Sequence, residues 1–173
     1  MMTRRSDRGS TLINVSAMNE RHRNLVLMRH AKSAYPDDVA DHDRPLASRG
    51  VREAGLAGDW LRAKLPAVDS VLCSTAIRVR ETLAGTEIDA PVRYIERLYG
   101  AAPGTVIEEI NKVPDDVATL LVVGHEPTTS AVAIILAGTE GTDFDAVERI
   151  SEKFPTSAIA VLRVAGRWDQ LGP

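Results

Sequence analysis

Leu25-Val26-Leu27-Met28-Arg29-His30-Ala31-Lys32-Ser33 is an apolar run that ends abruptly in Arg-His. Four apolar residues followed by a polar cluster read as a buried strand that delivers polar side chains at its C-terminal end. In an open α/β sheet that end is where ligands sit. His30 is therefore the candidate around which the remaining chain is read.

The chain has 173 residues, with 44% apolar and 26% charged residues. That length fits one domain with a proper core, and the composition is that of a globular protein. The formal net charge of -3 gives no sign of a nucleic-acid or membrane-surface partner. An anionic substrate would need a local basic pocket. Cys73 is the single cysteine, which excludes an intramolecular disulfide and a cysteine-based metal site. It also fits a reducing compartment, and a cytoplasmic protein is expected. No apolar run reaches bilayer length. Residues 1–23 are polar and lack periodicity, and are expected to form a flexible tail. Residues 24–173 are expected to form one domain.

Strands and helices alternate behind the opening run. Proline and aspartate fill residues 34–46, which marks a loop. Ser48 is a candidate N-cap for a helix that Pro66 stops. Val68 to Cys73 reads as a second strand, followed by Ser74-Thr75 as a cap pair and a helix carrying Arg78. Val92 to Ile95 is a short strand, and Thr105 to Val113 a helix. Thr119 to Val123 is the most β-branched, apolar run and predicts a central strand ending in Gly124-His125. A helix over 128–137, a short helix within 143–153 and a strand over 158–164 follow, with a final edge strand expected at Arg167 to Leu171. The alternation implies an α/β sandwich with a mostly parallel sheet.

In such a sheet the strand ends share one edge, which would gather Arg29, His30, Arg78 and His125. Arginine forks match phosphate oxygens, and a neutral imidazole is a fair nucleophile near neutral pH. Phosphoryl transfer through His30 is the chemistry this set suits, with Arg29, Arg78 and His125 stabilising equatorial oxygens. Asp37, Asp38, Asp41, His42 and Asp43 admit a metal-site reading, but a solvated acidic loop is preferred. Ser74 and Thr75 read as capping, and Cys73 as a buried small residue.

Arg29-His30-Ala31, Ser74-Thr75-Ala76-Ile77-Arg78 with Thr82, and Gly124-His125-Glu126-Pro127 occur in that order. Together they resemble the motifs of the histidine phosphatase superfamily, which includes the phosphoglycerate mutases. Arg44-Pro45-Leu46, Arg49-Gly50 and Thr156-Ser157-Ala158-Ile159-Ala160 resemble its small SixA-type phosphohistidine phosphatases. Ala31 stands where the family usually has glycine.

The resemblance implies a three-layer sandwich, with helices on both faces of the sheet, as in phosphoglycerate mutase. It implies that His30 becomes the phosphohistidine intermediate while Arg29, Arg78 and His125 hold the phosphoryl group. Glu96, in Glu96-Arg97-Leu98-Tyr99-Gly100, maps onto the mutase general acid, and Lys32, Ser33 and Arg44 are candidate rim contacts. No metal and no cofactor are expected. The leading expectation is a monomeric phosphatase acting on a phosphohistidine-bearing protein. A small-molecule phosphomonoesterase of the same superfamily, a non-catalytic phosphoprotein-binding module and a metal hydrolase using His42 are the alternatives.

Overall fold

The computed structural model describes residues 22–138 and 142–172. Most of the N-terminal segment read as a tail therefore lies outside the described residues. The sheet has five strands: β1 (Arg23–Arg29), β2 (Ser70–Ser74), β3 (Val92–Ile95), β4 (Thr119–Gly124) and β5 (Ile159–Val164). Their order across the sheet is β3-β2-β4-β1-β5. β1, β2, β3 and β4 run parallel, and β5 closes the edge antiparallel to β1. The mostly parallel sheet follows the sequence pattern, and so does the central position of β4.

All six residues of β4 are buried. Strands covered on both faces need no polar alternation, which is why this run is continuously apolar. Side-chain alternation divides the core into two halves. On one face Val26, Met28, Val71, Cys73, Leu121 and Val123 pack with Ala57 and Leu61 of α1 (Ser48–Lys64) and Val79 and Leu83 of α2 (Ile77–Thr86). On the other, Leu25, Leu27, Leu72, Leu120 and Val122 pack with Val106, Ile107 and Ile110 of α3 (Pro103–Asn111) and Val132 of α4 (Thr128–Leu136). The last helix, α5 (Phe144–Glu152), adds Ile150 to this second cluster. Helices thus cover both faces of the sheet.

Several local expectations differ from the structure. Arg23 belongs to β1 rather than to a tail: its guanidinium is buried against Asp115 and the Gly166 carbonyl. The segment 167–171 is not a strand. Gly166 turns the chain at φ 85°, and Trp168–Gln170 forms a single 3-10 turn. Trp168 is fully buried there, with its indole N–H donating to the Val117 carbonyl at 2.9 Å. An apolar residue that plugs the core is not evidence of a strand. Neither Ser48 nor Thr75 caps a helix. The caps are Ala47 and Ala76, without side-chain cap bonds. The Ala47 N–H donates instead to the Lys32 carbonyl at 2.9 Å, which docks the start of α1 on the loop after β1.

Candidate active site

β1 and β4 pair in register, Arg29 beside Gly124. The next residue on each strand is a histidine, so His30 and His125 emerge as neighbours. Their ring centroids are 5.5 Å apart at 64°. The His30 N–H also donates to the Gly124 carbonyl at 3.0 Å. Two strand ends therefore place both rings through main-chain pairing alone.

The His30 Nδ1 lies 2.7 Å from the Ala31 carbonyl. A carbonyl only accepts, so Nδ1 carries the proton and Nε2 keeps its lone pair. Burial pushes the His30 pKa down to about 4, against the Ala31 hydrogen bond and with help from Arg78, Arg29 and Arg44. Burial, followed by Arg78 and His30, pushes that of His125 to about 3. Both rings are neutral near pH 7. The His125 Nδ1 faces Arg78 at 3.4 Å. Arginine is a donor only, so the His125 Nε2 carries the proton and donates to the Ser74 Oγ at 2.8 Å. Ser74 is thus a partner of His125, a role hidden behind its expected place in a cap.

Arg78 is buried in the first turn of α2. Arg29, the last residue of β1, donates through one outer nitrogen to the Phe154 carbonyl at 2.7 Å. The Nε atoms of both arginines are buried, with no hydrogen-bond partner among the described residues. A buried donor left unpaired is costly, and an oxyanion is the kind of acceptor that satisfies a guanidinium Nε–H. Ala31 is fully buried, and its N–H donates to the Thr82 Oγ1 at 2.9 Å. It is not among the positive-φ residues, so its extra methyl meets no backbone strain. Thr82 in turn donates to the Arg78 carbonyl at 2.6 Å, tying α2 to the loop after His30.

The remaining expected residues lie at the rim. Glu96 is 73% exposed in its side chain and accepts from the Thr75 hydroxyl. Arg44 donates to Ser33 Oγ, the Ala34 carbonyl and Asp41, and stacks 4.0 Å from the Tyr35 ring centroid. Its donors and Ser33 serve the loop. Lys32 is exposed, with its ammonium 5.5 Å from the Tyr35 ring centroid. Burial pushes the Cys73 thiol up to about 12, which suits a packing residue.

Asp41 was read with the solvated acidic loop, but it bonds Arg78, Arg44 and Tyr99. Its sequence signal is Arg44 three residues on. Tyr99 also packs edge-on against His125, with centroids 5.5 Å apart. Among the described residues, no group of three or more His, Cys, Asp or Glu side chains is arranged to hold a metal.

The two histidines give the fold a pH signature. Ordinary histidine titrates at 6.5, and both folded values lie well below that. The unfolded chain therefore binds more protons below pH 6.5, and stability rises with pH through this window. On acidification, the thermal midpoint should fall from about pH 6.5 to 4.5, before the carboxylates titrate. A His125→Asn variant should show a flatter slope in the same melts. An unchanged slope would contradict the buried, neutral ring.

A family model described as the histidine phosphatase superfamily (branch 1) matches residues 25–121. An uncharacterized protein of Mycobacterium tuberculosis is 77% identical over 146 residues, spanning 84% of this chain and 92% of that protein. The fold is similar to that of a candidate phosphohistidine phosphatase SixA from Nakamurella multipartitia. The TM-score is 0.76 at 43% identity, covering 86% of this chain and 88% of that one. It is also similar to the protein histidine phosphatase SixA complexed with tungstate, with TM-score 0.66 at 26% identity over 80% and 86% of the two chains.

Proposed function

The chain belongs to the histidine phosphatase superfamily, and from that premise we propose that it hydrolyses phosphohistidine on a protein through a covalent intermediate on His30. The observation that carries the proposal is the unprotonated Nε2 of His30, beside His125 and near Arg29 and Arg78, whose buried Nε atoms have no partner among the described residues. In the first step Nε2 attacks phosphorus. The new N–P bond forms as the bond to the substrate's imidazole breaks. That ring takes the electron pair and, protonated on its other nitrogen, leaves as neutral imidazole, while the His30 Nδ1 keeps its proton. In the second step water attacks the phosphoimidazole, inorganic phosphate leaves and His30 regains its lone pair. Arg29 and Arg78 hold the phosphoryl oxygens throughout, and His125 joins them by turning its Nε2 proton from Ser74 to the phosphoryl group.

Two features support a phosphohistidine substrate. An imidazole leaves with little need of a proton donor, and Glu96 is solvent-exposed and bonded to Thr75. The loop over the cleft, from Asp37 to Asp43, is short and mostly exposed, which suits a substrate carried on another protein. Likeness to the two SixA structures supports the same reading.

The test is a panel of a phosphohistidine protein, phosphoserine and small sugar phosphates. The phosphohistidine protein should give kcat/KM about 100-fold or more above the others, the scale that contacts to a leaving group provide. Glu96→Gln should leave that turnover within about twofold, since general acid help of 10²-fold or more is not used there. Preferred turnover of a sugar phosphate, abolished by Glu96→Gln, would establish the small-ester reading instead. That reading is favoured by the place of Glu96 in a mutase-like segment. Absence of any trapped phosphoenzyme would leave the binding-module reading.

A further inference from the structure

Asp41 lies on the loop between β1 and α1 and reaches Arg78 from it. Its main-chain carbonyl accepts from Arg78 Nη1 at 2.5 Å, and its carboxylate accepts from Arg78 Nη2 at 3.0 Å. The carboxylate is itself held. Tyr99 donates to Oδ2 at 2.8 Å, and Arg44 donates to Oδ1 from Nε at 3.0 Å and from Nη2 at 2.8 Å. The Tyr99 hydrogen bond, with Arg44 and Arg78 beside it, brings the carboxyl down to about 2. The group therefore stays ionised over the working range.

Arg29 offers a parallel. Its Nη1 is tied to the Phe154 carbonyl, and its Nε is buried and unpaired. In Arg78 the outer nitrogens are likewise tied, and Nε is again the unpaired donor. A guanidinium held in one plane stabilises a developing charge without reorganising during the reaction. A free arginine side chain would lose rotamer entropy on each binding event.

We infer that Asp41 is a positioning residue, which fixes the plane of Arg78 and leaves its Nε for the phosphoryl group. Tyr99 and Arg44 hold the carboxylate in turn. The inference rests on the reading of Arg78 as a phosphate ligand. A carboxylate near a phosphoryl site also repels it, so two effects compete. Arg44 and Tyr99 offset the charge of Asp41, and geometry then prevails. A carboxylate that merely occupied the anion site would give the opposite sign, because removing it would tighten anion binding.

The full chain carrying Asp41→Ala, and separately Tyr99→Phe, is assayed with p-nitrophenyl phosphate and with vanadate as inhibitor. Asp41→Ala should lower kcat about 10- to 100-fold, the cost of a reacting group displaced by about 1 Å. Vanadate inhibition should weaken in parallel. In an Arg78→Ala background, the same change should cost less than about twofold, because the residue it positions is gone. Tyr99→Phe removes only the hydrogen bond to the carboxylate, and should give a smaller loss in the same direction. Tyr99→Phe keeps the test available if Asp41→Ala folds poorly.

Tighter vanadate inhibition with kcat kept or raised would overturn the inference and make Asp41 an occluding group. Equal losses with and without Arg78 would also overturn it and leave a structural role. A wild-type chain that binds no vanadate and turns over no phosphate would instead overturn the phosphate reading, and this inference with it.

Discussion

His30→Ala is expected to abolish turnover, with a loss of about 10⁴-fold or more, the scale seen when a covalent nucleophile is removed. That loss is about 5.5 kcal/mol of transition-state stabilisation. Among the described residues no neighbour is placed to take over. Cys73 is buried with its thiol pushed up to about 12. The Ser74 hydroxyl is bonded to His125, and the Thr75 hydroxyl is spent on Glu96. His125 itself uses Nδ1 toward Arg78 and Nε2 toward Ser74, so neither nitrogen is available for attack.

The experiment has a readout besides rate. Phosphoimidazole survives base and is lost in acid, so wild type quenched in base should carry a label that acid removes. His30→Ala should carry none, while its melting curve at pH 7.5 stays close to wild type. A variant that keeps more than a tenth of the wild-type rate, or that still carries the label, would refute the assignment of His30.

Gly50→Ala is expected to damage stability and activity together. Gly50 lies in the first turn of α1, where a Cβ would sit 2.1 Å from the Lys32 carbonyl oxygen and 2.9 Å from its carbon. Neither atom belongs to a side chain that can swing away. The same carbonyl accepts the Ala47 N–H, so it is held against the helix start. The helix must lift, or the loop after His30 must shift. The cost should be about 3 kcal/mol, the upper range for overpacking.

A shift of the loop also reaches the site, because Ala31 donates from this segment to Thr82 and His30 bonds the Ala31 carbonyl. A displacement of about 1 Å should lower kcat by about 100-fold in the molecules that remain folded. Gly58 provides the control. Its Cβ would meet the Thr86 carbonyl at 2.1 Å, at the packing of α1 on α2. Gly58→Ala should lower the thermal midpoint comparably and leave kcat per folded molecule within about twofold. Equal kcat losses in both variants would show that the effect does not pass through the Lys32 loop.

Much of this architecture was legible in residue order. β1 and β4 are continuous apolar runs with polar ends, and a parallel sheet brings such ends to one edge. Arg29, His30 and His125 could be placed on that basis, and Arg78 by its distance along a helix from the end of β2. The antiparallel direction of β5 was not legible, since strand direction depends on the path of the connection rather than on composition. The 3-10 turn at Trp168 is not legible, because a buried apolar side chain has the same signature in a turn as in a strand. Asp41 is indistinguishable in sequence from its neighbours Asp37, Asp38 and Asp43. What distinguishes it is a pair of partners, Arg78 and Tyr99, which lie 37 and 58 residues away. Non-local ion pairs leave no periodicity to detect.

The strand order carries a consequence for how the protein is made. β1 and β2 emerge first during synthesis but do not touch: β4 lies between them. The loop after β1, which begins with the proposed nucleophile His30, touches the helix bearing Arg78 directly, through Ala31 on Thr82 and Asp41 on Arg78. β1 and β2 themselves enter one sheet only when a later strand inserts and pairs with both. That insertion also delivers His125. A nascent chain lacking β4 holds His30 and the two arginines with no sheet to fix their spacing, and long-range strand pairing is among the slower steps of folding. A chain that stops before β4 lacks both the strand that pairs with β1 and β2 and the histidine that follows it.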